Sequence, residues 1–218
     1  MNASQSLFRL LSRPGAQRGK LFGILVLAAL VIAIFFSYRS WRLAETRGAA
    51  PLPRIGKVPD FVLTDQDGHP LGMGELKGKI WVADFICTRC PGPYAVLSSH
   101  FAELDRNFSG SDILRLVSFT LDPEYDTPSV LKRYAQHYEA SVRWRFVTGD
   151  RRRIDDIRRT GFHAEAKASG SEPVHFGTTT FALVDGDGMI RACYDGSSVE
   201  VVQRLLTDLG SLLRASEK

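Results

Sequence analysis

The sequence predicts an α/β sandwich on a largely parallel sheet, preceded by one N-terminal transmembrane helix. Three observations predict it. An apolar run from Lys79 to Cys87 has the length and composition of a strand in the middle of a sheet, and it leads directly into Cys87-Thr88-Arg89-Cys90 and then Pro91 and Pro93. From Asp60 onward, apolar stretches of strand length alternate with stretches of helical period. Near the start, Leu21 to Tyr38 carries no charged residue. Strand, Cys-x-x-Cys and turn, in that order, describe the reactive edge of a thioredoxin-like sheet.

Taken in order, residues 1–20 read as a cytoplasmic segment and residues 21–38 as the transmembrane helix, at the short end of the roughly 17–25 residues that span a bilayer core. Tyr38 and Trp41 are placed as interfacial anchors. A cleaved signal peptide would have a shorter apolar core and a small-x-small site. Tyr38-Arg39-Ser40-Trp41-Arg42 follows instead, and Gly48-Ala49-Ala50 is the later small-residue alternative. Residues 39–59 read as a linker stiffened by Pro51, Pro53 and Pro59. The chain's net charge of +4 is unevenly placed: residues 1–50 hold seven basic residues against Glu45, leaving the remainder slightly acidic. That distribution argues against a nucleic-acid partner.

The domain is expected over residues 60–214. Phe61-Val62-Leu63 is a short strand before the turn Asp65-Gln66-Asp67-Gly68. A helix follows Pro93, with Ala95, Leu97, Phe101 and Leu104 as its apolar face. Ile113 to Thr120 is the next strand, and it leads into Leu121-Asp122-Pro123-Glu124-Tyr125-Asp126. Thr127 caps a helix whose first position is Pro128, where the absent amide costs nothing. Val142 to Val147 is a strand and Arg151 to Arg159 a charged helix. Thr178 to Val184, Asp185-Gly186-Asp187-Gly188 and Met189 to Tyr194 form a hairpin. The last helix carries Val201, Val202, Leu205, Leu206, Leu209 and Leu212.

The chemistry-bearing residues begin with the two cysteines. They stand where a helix starts, and there the helix dipole favours thiolate, the form that attacks disulfides and binds Cu(I). Asp84 has two readings: a carboxyl buried beneath the thiols with a raised pKa, or a strand-edge carboxylate facing solvent. Tyr94 packs on its helix or donates to a thiolate. Cys193 reads as a structural residue on an edge strand. Asp122, Glu124 and Asp126 form an acidic loop that could serve as a docking surface, and the Arg151–Arg159 segment reads as a solvated, self-paired helix face. His69, His100, His137 and His163 read as surface residues.

Several segments together resemble the Sco/SenC copper chaperones: Asp60 to Gly68, Phe85 to Pro91, Val117 to Pro123 with Asp126-Thr127-Pro128, and Val174-His175 before a strand ending Leu183-Val184-Asp185. The resemblance implies a membrane-anchored thioredoxin-fold protein that helps assemble the dinuclear copper centre of cytochrome c oxidase. It also implies copper as the bound metal and a Cys-Pro-x-x-Cys-Pro motif with a distant histidine as the ligand set. Cys90-Pro91 matches the first cysteine and His175 the histidine, but Tyr94 stands at the second cysteine and Cys87 appears three residues before Cys90.

Three readings stay open. Cys87, Cys90 and His175 bind copper, since thiolates and imidazole suit Cu(I). Alternatively Cys87 and Cys90 are a redox pair, which requires their Cα atoms within about 7 Å. Or Cys87 is a packed apolar residue and only Cys90 reacts. The expected function is a copper chaperone or thiol-dependent assembly factor, with the copper-receiving subunit of cytochrome c oxidase or another copper or thiol protein as partner. The alternative is a periplasmic thiol–disulfide oxidoreductase using Cys87 and Cys90. The expected location is the bacterial inner membrane, single-pass, with the domain in the periplasm.

Overall fold

The computed structural model describes residues 27, 29–39, 52–108, 113–162 and 179–216. The chain divides into two units, residues 1–48 and 49–218. In the first, residues 29–39 are helical, with Leu30, Val31, Ile32, Ile34, Phe35 and Phe36 exposed. Among the described residues no helix is long and apolar enough to cross a membrane. Most of the expected span before Ala29 lies outside the described residues.

Among its described residues the second unit holds eight strands: β1 (Gly56–Lys57), β2 (Val62–Asp65), β3 (Pro70–Gly72), β4 (Ile80–Ile86), β5 (Leu114–Thr120), β6 (Trp144–Thr148), β7 (Thr180–Val184) and β8 (Met189–Asp195). They form one sheet in the order β1-β8-β7-β4-β5-β6-β2-β3. The helices are α1 (Met73–Leu76), α2 (Tyr94–Asn107), α3 (Pro128–His137), α4 (Arg151–Asp156) and α5 (Val201–Ser216), and a π-helical turn, Ile157–Gly161, continues α4. β4, β5 and β6 are parallel, and β7 runs antiparallel to β4.

Every residue of β4 is buried, as an interior strand covered on both faces requires. Its side chains alternate between two cores. Ile80, Val82 and Ile86 join Leu97, Phe101 and Leu104 of α2 and Val201, Leu205 and Leu209 of α5 on one face. Trp81, Ala83 and Phe85 meet Phe61, Ile154, Ile157 and Phe162 on the other. The amphipathic stripe expected of the last helix is seen in α5, where Val201, Val202, Leu205, Leu209 and Leu212 are buried.

Four expectations shift. Ala95 is exposed, because the buried face of α2 begins at Leu97 and Ser98. Thr127 is the N-cap of α3 with Pro128 behind it, but its hydroxyl makes no cap bond and lies 3.1 Å from Ser129 Oγ. The strand expected from Val142 starts at Trp144, leaving Val142 81% exposed, because Trp144 is the first residue paired to β5. The sheet also claims part of the expected linker. Gly56 and Lys57 pair with Ile190 and Met189, Val58 is buried, and Arg191 donates to the carbonyls of Leu52 and Pro53. An unpaired β8 edge and an apolar Val58 outweigh the proline signal that suggested free chain.

Candidate functional site at the C-terminal end of the central strands

β4 and β5 run side by side, with Ile86 opposite Thr120, so the chain leaves the same edge of the sheet twice. The first exit is Cys87 to Pro93 and the second Leu121 to Thr127; the Leu121 amide donates to the Ile86 carbonyl at 2.7 Å where they part. Cys87, the first residue past β4, is 2% exposed. Cys90 is exposed. The two form a disulfide with Cα atoms 5.4 Å apart, inside the range that a bridge needs. The reading of Cys87 as a mere packing residue is thereby corrected: it is buried, but bonded to Cys90.

The acidic loop is not a free docking surface. Asp126 is fully buried beneath the cysteine loop. It accepts from the Thr88 amide at 3.3 Å, from the Thr88 hydroxyl, and from the Thr120 hydroxyl at 2.5 Å. Asp122 accepts from Arg89 Nε at 2.7 Å, and the Arg89 guanidinium lies 4.2 Å from the centre of the Tyr125 ring. Both residues between the cysteines are therefore held by the second loop, one by a buried carboxylate and one by an ion pair with a cation–π contact. Glu124 pairs with Arg151, whose guanidinium holds that carboxyl below the usual range. The self-paired arginine face is corrected accordingly: Arg158 meets Asp155 on its own helix, but Arg151 reaches across to Glu124 and Asp122. The contacts that tie the cysteine loop to the second loop were hidden in the sequence because they join positions 33 to 38 residues apart. The usable signal was the parallel pairing, which brings the loops after neighbouring strands to one edge.

Asp84 takes the buried reading. It is 1% exposed, and among the described residues neither carboxylate oxygen has a hydrogen-bond partner. Burial pushes its carboxyl up to about 7, against the smaller opposing pull of the nearby Ser118 hydroxyl. Such a group is part-protonated at neutral pH, on the strand that leads into Cys87. Tyr94 is half-buried and packs on the core beside α2 and α5. Cys193, opposite Ala182 in the β7–β8 ladder, is half-buried, and burial pushes its thiol up to about 12, so it stays protonated and unreactive at neutral pH. His100 is more than a surface residue, because its Nδ1 lies 2.8 Å from the Gly196 carbonyl oxygen.

His175 and His163 lie outside the described residues. Among the described residues no three His, Cys, Asp or Glu side chains are grouped to hold a metal. What the described residues bring together is a disulfide-bonded cysteine pair in which Cys90 is an exposed residue and Cys87 a buried one. The loop between them is anchored from below.

The SCO1/SenC family pattern matches residues 51–213. The SCO1 protein homolog of Bacillus subtilis is 31% identical over 158 residues, which is 71% of this chain and 82% of that protein. The crystal structure of a SCO1/SenC family lipoprotein from Bacillus anthracis superposes with a TM-score of 0.65 at 30% identity, covering 76% of this chain and 99% of the other. BsSco, described as a member of the Sco family of cytochrome c oxidase assembly proteins with a disulfide switch, superposes at 0.61 with 31% identity, over 73% of this chain and 94% of its own. The thioredoxin-like α/β sandwich, the cysteines at its central strand end and a match running through nearly the whole domain agree: this chain belongs to the SCO1/SenC family.

Proposed function

We propose that this chain is a membrane-anchored, thiol-dependent assembly factor that carries copper to the copper centre of cytochrome c oxidase. The observation that supports it best is a cysteine pair that can exist as disulfide or dithiol, at the end of the central strand of a Sco-family domain. Reduction of the bridge frees two thiolates. With the His175 imidazole they make a soft ligand set of the kind that takes up Cu(I). Copper is cargo here, bound by Cys87, Cys90 and His175 and released to the receiving protein. The charge-free run from Leu21 to Tyr38 supports an anchor, and cysteine chemistry of this kind supports a periplasmic domain.

Titration of the reduced full-length chain in detergent with Cu(I), against a competing chelator, tests the reading. One equivalent should bind tightly, and Cys90→Ala and His175→Ala should each abolish competition. Tight binding that survives Cys87→Ala would remove Cys87 from the ligand set. The disulfide itself favours a second reading, in which the pair exchanges electrons with the cysteines of the copper-receiving site. That reading predicts turnover of a dithiol substrate without copper, and no turnover would end it.

A further inference from the structure

We propose that the cysteine pair has a direction: Cys90 is the sulfur that exchanges with a partner's thiols, and Cys87 is the internal resolving thiol. The inference rests on the reading of these two residues as working thiols and adds which of them meets the partner. Disulfide exchange needs a thiolate to approach one sulfur in line with the bond, from the side away from the leaving sulfur. Attack on Cys87 would have to come through the core, because that residue is 2% exposed at the foot of the loop. Attack on Cys90 comes from solvent.

The backbone on either side strengthens the asymmetry. Beside Cys87, Thr88 is clasped through both its amide and its hydroxyl by the buried Asp126, and the strand end behind it is tied to Leu121. That side is a fixed base. Beyond Cys90, Pro91 and Gly92 are exposed, and Gly92 sits at φ 128°, a conformation that side chains other than hydrogen rarely allow. Opening the bond therefore leaves Cys87 in place at the foot of the loop, while Cys90 stays on its exposed side, beyond the ion-paired Arg89.

The step balances without a further reagent. A partner thiol gives its sulfur to Cys90, forming a mixed disulfide. The Cys87–Cys90 bond breaks with its electron pair on Cys87, which takes up the proton that the attacking thiol lost. The partner's second thiol then displaces Cys90, so the partner gains a disulfide and this chain gains two thiols. In the reverse direction Cys90 attacks a partner disulfide and Cys87 resolves the product.

Two measurements on the full-length chain in detergent test the direction. Brief alkylation of the reduced protein with iodoacetamide, followed by peptide mapping, should modify Cys90 about ten-fold or more faster than Cys87, because rate follows thiolate access. The difference should vanish in concentrated urea, which shows that the fold creates it. With oxidised glutathione, Cys87→Ser should accumulate a stable mixed disulfide at Cys90, while Cys90→Ser should stay largely unmodified at Cys87. Equal native rates, or faster modification of Cys87, would overturn the proposal, and the wild-type comparison stands even if a variant folds poorly. Neither measurement uses copper. Failure of Cu(I) binding would therefore leave this result readable, and reversed labelling would leave the copper reading intact.

Discussion

Asp84→Asn is expected to raise stability, relative to the parent chain, by about 2–4 kcal/mol more at pH 8 than at pH 4. The carboxyl is fully enclosed and, among the described residues, has no hydrogen-bond partner for either oxygen, so its charged form loses hydration and gains little in return. Burial therefore raises its pKa from 3.8 to about 7. The sign follows from proton counting. Between those two values the folded chain holds a proton that the unfolded chain has released. Stability from this group is thus fully present below about 3.8 and declines as pH rises to about 7, beyond which the loss is complete. A shift of that size corresponds to roughly 4 kcal/mol, and the buried Asn amide, itself short of partners, returns part of the gain. Urea denaturation of both proteins from pH 4 to 8.5, read as the difference between them, isolates Asp84 from every other titrating group. Parallel curves across that range would mean that Asp84 titrates alike in the folded and unfolded chain and that burial does not raise its pKa.

Asp126→Ala should cost the fold about 3–5 kcal/mol while leaving the cysteines intact. The carboxylate serves three donors, the part-buried amide and hydroxyl of Thr88 and the buried hydroxyl of Thr120, and its removal takes away the acceptor they share. The neighbouring Glu124→Ala removes a pairing that is wholly at the surface, and it should change stability very little. The pair of variants therefore separates a buried clasp from a surface ion pair in the same loop. Loss of the clasp should also speed reduction of the Cys87–Cys90 bridge by dithiothreitol, because Thr88 no longer holds the loop to β5. Thermal melts and reduction rates check both effects. An Asp126→Ala protein that melts and reduces like Glu124→Ala would show that the clasp does not position the loop.

Much of the architecture was legible because it rests on local rules. β4 could be read from an apolar run too long and too uniform for an edge, and α5 from a stripe of Val and Leu at helical spacing. The hairpin around Asp185 was marked by its Asp-Gly turn: the Asp185 carboxylate accepts from the Asp187 and Met189 amides at 3.0 Å each, and Gly188 takes a positive φ. The end of the linker was not legible. A proline-rich stretch reads as free chain until a neighbouring strand offers unpaired hydrogen-bonding groups, and that neighbour, β8, lies more than 130 residues away.

The site divides along the same line. Cys87 and Cys90 declared themselves by spacing and by the strand before them, and Asp84 by a charge in an apolar run. Period, apolarity and turn chemistry act over a few residues, so the sandwich, its central strand and a thiol pair at that strand's end could be read from the chain alone. The enclosure of Asp84, the role of Asp126 as a clasp rather than a docking surface, and the exposure of Cys90 but not Cys87 emerge once the sheet is assembled. Burial and long-range hydrogen bonding depend on which parts of the chain the sheet brings together. Cysteines three residues apart in the chain differ in exposure because one ends a buried strand and the other lies beyond its edge.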